Sequence, residues 1–263
     1  MHSKPVGVYN DPSPGPLEYA MPKTFLSLLS VLMAALSPLA AHAGPGELVM
    51  LAPLDQTMPI VRFSNGALDG GIVKDVGDAL AQRLGLRPVY LNVDVPGVTP
   101  ALTSGRADAM CYVLPFWIDG DYDWSAPLLP DTELVVARAE APRLRSLKDL
   151  KDKPVGTVAG YRYPRIEQVL GKRFARVDSA SMDINVQQMI AGKTPYTVAG
   201  ESTLVYLQRV HPALKLRPEL VFSSYKAQCA FSRKSQVPFT DANRVIDAML
   251  REGVIDQILA RYR

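Results

Sequence analysis

Polar side chains follow the first strand-like segment of the chain, at a position where many α/β proteins bind ligands. Asp55, Gln56 and Thr57 come directly after the apolar run Glu47–Ala52, and ligands of open α/β sheets bind at the carboxyl ends of strands. The polarity of an ordinary loop would also explain these residues, so ligand binding by Asp55 and Gln56 is one of two interpretations.

A second candidate is the loop Gly160-Tyr161-Arg162-Tyr163, which has the properties of an anion site. It precedes Pro164, a favoured first residue of a helix, and a helix N-terminus presents free N–H groups to an anion. Arg162 would add a guanidinium fork that matches a carboxylate. Alternatively, Arg162 points into solvent while Tyr161 and Tyr163 pack between helices.

The sequence gives little indication of catalysis by a histidine or by an activated nucleophile. The chain has three histidines, and two of them (His2 and His42) precede residue 44. The third, His211, stands before Pro212 in a predicted turn. No Ser/His/Asp set, no Cys-x-x-Cys and no metal-ligand spacing is visible. We therefore expect a protein that is not an enzyme and that has no cofactor and no bound metal.

Two cysteines, Cys111 and Cys229, lie in apolar strand-like runs at residues 109–114 and 227–231. An exported protein can hold a disulfide. The geometry of a bridge is demanding, however, and free cysteines are among the most buried residues. We therefore expect two buried free thiols.

Residues 21–43 have the pattern of a secretory signal peptide. Lys23 precedes a short apolar run at 25–35, and an Ala-x-Ala cleavage site stands at 41–43. The run is shorter than the ~20 apolar residues of a spanning helix. We expect cleavage after residue 43 and a periplasmic mature chain, with a retained apolar helix or anchor as the alternative. Residues 1–20 are rich in turn formers and predict a disordered leader or a mis-assigned start.

Composition argues against nucleic-acid binding. The chain carries 29 basic and 26 acidic residues, no basic block stands out, and the aromatic residues are not interleaved with lysines. After residue 43 no apolar stretch approaches spanning length. The remaining length suits one large domain or two small lobes.

Apolar periodicity predicts alternating strands and helices, which is typical of parallel sheets covered by helices. The predicted strands are 47–52, 87–93, 107–113, 132–138, 155–158, 196–199 and 227–233. The predicted helices are 72–84, 98–103, 147–150, 184–191, 202–210 and 240–262, the last interrupted at Gly253.

One pattern occurs twice and predicts two similar lobes. Residues 100–110 and 188–198 each contain a helix end, a glycine, a basic residue and a strand. The expected first lobe is 44–135 with 231–263, and the expected second lobe is 136–230. Two strands would cross between the lobes as a hinge, and the cleft between them is a natural small-molecule site.

Several motifs together resemble a known family. They are Gly71–Gly85, Pro100–Ala109, Asp123–Pro127, Leu147–Gly156 and Gly253–Tyr262. In order and spacing they are similar to periplasmic solute-binding proteins, specifically the amino-acid-binding components of ABC importers (substrate-binding family 3). The resemblance implies a two-lobed α/β fold of periplasmic-binding-protein type II. In this fold two parallel-type sheets, flanked by helices, are joined by a two-strand hinge.

The resemblance also suggests an amine-binding residue. The family places an acidic residue after the last strand of its second lobe, where it pairs with the α-amine of the ligand. Glu201, followed by Ser202, occupies that place, and a carboxylate there can hold an ammonium. The alternative is that Glu201 only decorates the start of a helix, where an acidic residue suits the helix dipole.

One segment departs from the family pattern. The family's carboxylate-clamping arginine is missing from residues 116–121, which contain two acids and no base. Tyr112, Phe116 and Trp117 would instead wall the cleft with aromatic faces, which suits a cationic or ring-bearing ligand. Ordinary core packing is the alternative for these three side chains. An amine-bearing ligand is therefore expected, and the question of its carboxylate stays open.

The resemblance implies a monomeric protein that captures a small molecule and presents it to the membrane permease of an ABC importer. Nucleic acid is not an expected partner. Two alternatives stay open on the same scaffold: a periplasmic dehydratase-like enzyme, and a sensory or accessory protein that does not transport. Fold alone does not separate them.

Overall fold

The computed structural model describes residues 46–263, which form a mixed α/β structure. The predicted leader (1–20) and signal peptide (21–43) lie outside the described residues. Within residues 46–263, every helix is too short or too polar to cross a membrane.

The strands alternate with the helices along most of the chain. The strands are β1 (Glu47–Pro53), β2 (Arg62–Ser64), β3 (Ala67–Gly70), β4 (Arg87–Val93), β5 (Ala109–Val113), β6 (Tyr122–Trp124), β7 (Leu129–Arg138), β8 (Val155–Val158), β9 (Arg176–Ser179), β10 (Tyr196–Gly200) and β11 (Leu216–Ser232). The helices are α1 (Ile72–Leu84), α2 (Val95–Ser104), α3 (Pro164–Leu170), α4 (Met182–Ile190), α5 (Glu201–Val210), α6 (Phe239–Arg251) and α7 (Val254–Ala260), with 3-10 turns at Leu147–Leu150 and Gly171–Arg173.

The main sheet contains two parallel groups joined by an antiparallel pair. In one group β1 pairs with β4 and β5, and in the other β8 pairs with β9 and β10, all in parallel. The long strands β7 and β11 pair with each other in antiparallel fashion, and each also borders one of the groups. The two parallel-type sheets expected from the sequence are thus hydrogen-bonded into one continuous path, β4-β1-β5-β11-β7-β10-β8-β9.

Buried apolar side chains form separate clusters around the two parallel groups. α1, α6 and α7 cover one face of the first group, and α2 covers the other. In the second group, α3 packs on one face while α4 and α5 pack on the other. The packing changes from one group to the other between Leu129 and Leu134 in β7, and between Phe222 and Ala227 in β11. The division into lobes at 44–135 with 231–263 and at 136–230 stays a prediction.

Local signals explain the elements whose bounds were predicted correctly. Helix α1 ends at Gly85, whose φ of 69° is the left-handed conformation that glycine adopts easily. The 3-10 turn at Leu147–Leu150 begins with a capping box between Ser146 and Asp149. These residues satisfy backbone groups at the helix ends, so the boundaries are set by neighbours in the sequence.

The two cysteines form a disulfide, so the expectation of free thiols was wrong. The reason is the register of β5 against β11, which places Cys229 directly opposite Cys111. Their Cα atoms are 3.9 Å apart and both side chains are fully buried. The bridge therefore fastens β11 to the first parallel group.

Candidate functional site

A cavity of about 350 Å³ lies at the carboxyl ends of β1, β5 and β10. Parallel strands of both groups end there, as the general rule for ligand sites in α/β sheets requires. We call it the first cavity. Its lining residues are Pro53, Asp55, Gln56, Val95, Pro96, Val98, Thr99, Met110, Tyr112, Val113, Trp117, Ile118, Asp119, Glu133, Gly160, Tyr161, Arg162, Tyr163, Met182, Val198, Ala199, Gly200, Thr203 and Tyr225.

The structure brings together most, but not all, of the predicted site residues. Those that line the first cavity are Asp55, Gln56, Tyr112, Trp117, Tyr161 and Arg162. Glu201 and Ser202 line a separate second cavity of about 750 Å³. The two cavities share the side chains of Tyr112 and Tyr225.

Asp55 is a buried carboxylate that residues far along the chain hold in place. The hydroxyl of Tyr161 donates a hydrogen bond to Asp55 Oδ2 and accepts one from Gln56 Nε2 at 2.5 Å. The backbone N–H of Met182 donates to the carbonyl of Asp55 at 2.7 Å. Burial raises the pKa of the Asp55 carboxyl, although the hydrogen bond from Tyr161 opposes that shift.

Glu133 is a further candidate for ligand binding that was not predicted from the sequence. It stands in β7 opposite Gly200 of β10 and Ser223 of β11, and it lines the first cavity. Burial raises the pKa of its carboxyl to about 7, with a smaller contribution from the nearby Asp131. A hydrogen bond from Ser223 acts in the opposite direction. The available signal was the acid at the start of the apolar run at residues 134–137.

Asp131 connects the two parallel groups beside both cavities. Its carboxylate accepts hydrogen bonds from the Tyr112 hydroxyl, from the Ser202 backbone N–H at 3.1 Å, and from the Ser202 hydroxyl at 2.6 Å. The Thr132 N–H also donates to it, at 2.8 Å. Tyr112 has a φ of 65°, unusual for a residue with a side chain. The hydroxyl bond to Asp131 fixes where its ring lies, between the cavities.

Arg162 is paired with an acid instead of pointing freely into the cavity. Its guanidinium donates to both carboxylate oxygens of Asp119, at 2.6 and 3.2 Å, and to the carbonyl of Phe116 at 3.3 Å. The hydrogen bond from Arg162 lowers the pKa of the Asp119 carboxyl. Asp119, one of the two acids in residues 116–121, therefore occupies the guanidinium of Arg162, which was predicted to bind an anion.

Aromatic rings form much of the remaining wall. They belong to Tyr112, Trp117, Tyr161, Tyr163 and Tyr225. Trp117 and Tyr225 are packed edge to face with their ring centres 5.1 Å apart. The faces of such rings carry partial negative charge and attract cations.

The second cavity surrounds the start of α5. Glu201 is the first residue of that helix and is exposed, whereas Ser202 is tied to Asp131. This placement agrees with the alternative in which Glu201 decorates the helix start. Among residues 46–263, no cluster of three or more His, Cys, Asp or Glu side chains is arranged to hold a metal ion.

Comparison with solved structures establishes the fold class. An ancestral arginine-binding protein bound to arginine superposes with a TM-score of 0.72, at 20% identity over 83% of this chain and 99% of that one. The arginine-, lysine-, histidine-binding protein ArtJ from Geobacillus stearothermophilus gives 0.70, at 16% identity over 82% and 94%. The ancestral amino acid-binding protein AncCDT-1, a precursor of cyclohexadienyl dehydratase, gives 0.70, at 18% identity over 82% and 95%.

The chain therefore has the two-lobed α/β fold of periplasmic binding proteins of type II, which confirms the predicted fold class. Comparisons with protein-family models and with curated proteins gave no match.

Proposed function

We propose that the chain is a periplasmic solute-binding protein, similar to the amino-acid-binding components of ABC importers, that captures a small amine-bearing cation in the first cavity. The lobes close on the ligand, and the closed monomer is presented to a membrane permease. The fold supports this function, as does the similarity to arginine-binding and other amino-acid-binding proteins.

The charge of the first cavity is the observation that carries the choice of ligand. Asp55 and Glu133 contribute carboxylates, and neither forms a salt bridge with a described residue. Arg162 is the single basic residue among the lining residues of the described chain, and its guanidinium is paired with Asp119. An ammonium group would make charge-assisted hydrogen bonds to the carboxylates.

The aromatic wall complements this charge. Tyr112, Trp117, Tyr161 and Tyr225 surround the same space, and aromatic faces stabilise a desolvated cation by about 2 kcal/mol. A volume of about 350 Å³ suits an amine of amino-acid size. A free carboxylate on the ligand would have to compete with Asp119 for Arg162.

Three contacts at the rim of the first cavity support closure between the proposed lobes. The pairs are Tyr161 with Asp55, Met182 with Asp55, and Arg162 with Asp119. Each pair joins residue range 44–135 to 136–230, while β7 and β11 connect the same ranges as a hinge. Small-angle scattering should show a smaller radius of gyration when ligand is bound, and an unchanged radius at saturation would contradict closure.

A thermal-shift screen tests the ligand class. The probes are simple primary amines, polyamines, cationic and neutral amino acids, dicarboxylic acids and sugars. At a ligand concentration of ~100 Kd, a true ligand stabilises the protein by roughly 2.7 kcal/mol. We expect stabilisation by amine-bearing cations. Stabilisation by dicarboxylic acids or sugars alone would contradict the proposal.

A dehydratase-like enzyme is the second candidate, because a carboxyl group with a pKa of about 7 in an enclosed cavity can act as acid or base. One similar structure is described as a precursor of a dehydratase. The usual substrates of such enzymes carry two carboxylates, for which the cavity offers only the paired Arg162. Turnover of a cyclohexadienyl acid, lost in Glu133→Gln, would favour this candidate over pure binding.

A further inference from the structure

Charge is distributed unevenly between the two parallel groups of the sheet. The segments 46–135 and 231–263 contain eleven basic and sixteen acidic residues. Residues 143–176 alone contain ten basic and three acidic residues. The chain's small net charge thus hides a strongly basic segment, which the overall composition did not reveal.

Parts of the basic segment form an outer layer on the second parallel group, while β8 of the same segment lies buried within the sheet. The 3-10 turn at Leu147–Leu150 and helix α3 pack side by side, because Leu147, Leu150, Ile166 and Leu170 belong to the same apolar cluster. The basic side chains of this layer lie on its outer side. The exposed ones without a salt bridge to any described residue are Arg145, Lys148, Lys151, Arg165 and Lys172, and we call these five the basic face.

Other basic residues of the layer are already neutralised, which makes the basic face distinct. Arg173 pairs with Asp152, and Arg143 lies 3.4 Å from Glu219. The five residues of the basic face have no such partner within the described chain. An external anionic surface would supply one.

Two features favour a lipid surface over a nucleic acid. The aromatic rings of this region, Tyr163 and Phe174, lie beneath the guanidinium of Arg176 at 5.2 and 5.9 Å, so they offer no open stacking platform. The exposed apolar side chain on α3 is Val169, 40% exposed, between Arg165 and Lys172 in the sequence. An apolar side chain among cations suits the headgroup region of a bilayer.

We propose that the basic face binds the surface of bilayers rich in anionic phospholipid. Basic residues near such a surface each contribute roughly fivefold to partitioning, and salt screens the attraction. Bound in this way, the protein would concentrate at a membrane. The inference does not depend on the proposed ligand.

The test is sedimentation of the protein with vesicles of phosphatidylglycerol and phosphatidylcholine, compared with phosphatidylcholine alone. We expect binding to the anionic vesicles at low salt and its loss at high salt. The variant Lys148→Gln/Lys151→Gln/Lys172→Gln should bind at least about tenfold more weakly.

The matched control removes the same charge from the other parallel group. Arg106, Lys234 and Arg251 are exposed and lack a salt bridge to any described residue, so Arg106→Gln/Lys234→Gln/Arg251→Gln should bind within about twofold of the parent. Equal loss in both variants, or no vesicle binding at low salt, would overturn the proposal. Binding to nucleic acid without binding to vesicles would also overturn it.

Discussion

The two cavities contain the same kinds of side chain but are built differently. The first cavity holds the buried carboxylate of Asp55 and the partly buried carboxylate of Glu133 inside an aromatic wall. The second cavity holds Glu201, an exposed acid at the start of a helix, and Asp131, a buried acid whose carboxylate already accepts four hydrogen bonds within the protein. An exposed carboxylate keeps its water and gains little from an ammonium, whereas a buried one gains a partner for a charge that is already desolvated.

The same difference separates Glu201, which was predicted to bind the amine, from the acids of the first cavity. Glu201 stands where the resembling family carries its acid, yet its side chain borders the second cavity. Glu133 reaches the first cavity because β7 lies between β10 and β11. Sheet pairing, and not neighbouring sequence, brings Glu133 to the first cavity.

Removing the disulfide should have the largest effect, because the bridge fixes the strand that carries the shared wall of both cavities. Cys111 immediately precedes Tyr112 and bonds across to β11. Cys111→Ala/Cys229→Ala should lose about 4 kcal/mol of unfolding free energy, since the loop that the bridge closes is long. Urea unfolding measures this loss.

Reduction of the parent protein is the control, because it breaks the disulfide without removing the sulfur atoms and so leaves no packing void. The reduced parent should lose a similar unfolding free energy. If the double variant and the reduced parent are both as stable as the oxidised parent, the disulfide does not stabilise the wall that the two cavities share.

The pH dependence of stability should distinguish Glu133, the partly buried acid of the first cavity, from the exposed Glu201. The pKa of Glu133 is about 7 in the folded protein against 4.5 as the ordinary value. Between these values the folded state holds the extra proton, so the unfolding free energy contributed by this group falls as pH rises. The loss amounts to at most about 3 kcal/mol.

Glu133→Gln should remove this dependence and make the protein more stable than the parent at pH 8. Urea unfolding at pH 5, 6, 7 and 8 gives the comparison, with Glu201→Gln as the matched exposed control. Equal pH profiles for the parent and Glu133→Gln would show that Glu133 is not desolvated.

Loss of Arg162 should have the smallest effect. Its pair with Asp119 is largely exposed, with side-chain exposures of 47% and 77%, and exposed pairs contribute roughly 0–1 kcal/mol. If the ligand lacks a carboxylate, Arg162→Ala should bind it within about fivefold of the parent in calorimetry. Complete loss of binding would instead identify Arg162 as a carboxylate clamp.

Much of the fold could be predicted because local signals define its elements. Helix α1, strand β4 and strand β8 have the predicted bounds, and each is flanked by glycine, proline or capping residues. The first half of β11 was missed because Leu216–Lys226 is half exposed and has no regular alternation. The hairpin of β2 and β3 is absent from the predicted strands, because strands of three and four residues carry too few side chains to show a period.

Residues of the candidate site could be predicted where they directly follow a strand or precede a helix. They could not be predicted where strand pairing or contact between distant segments brings them together. Asp55 and Tyr161 were found from strand ends and helix starts, and the structure joins them by a hydrogen bond. The bridge between Cys111 and Cys229 depends on antiparallel register, which their separation in sequence does not reveal. The salt bridge between Arg162 and Asp119 likewise depends on contact between segments that are distant in the sequence.

Calorimetry on two glutamine variants tests the central claim most directly. The titrant is the amine that stabilises the parent most in the thermal-shift screen, at pH 8, where Glu133 is ionised. Glu133→Gln should weaken binding by about 2–5 kcal/mol, because an ammonium loses its charged partner inside the first cavity. Glu201→Gln should bind within about twofold of the parent. Full affinity in Glu133→Gln together with lost affinity in Glu201→Gln would contradict the account and place the amine site in the second cavity.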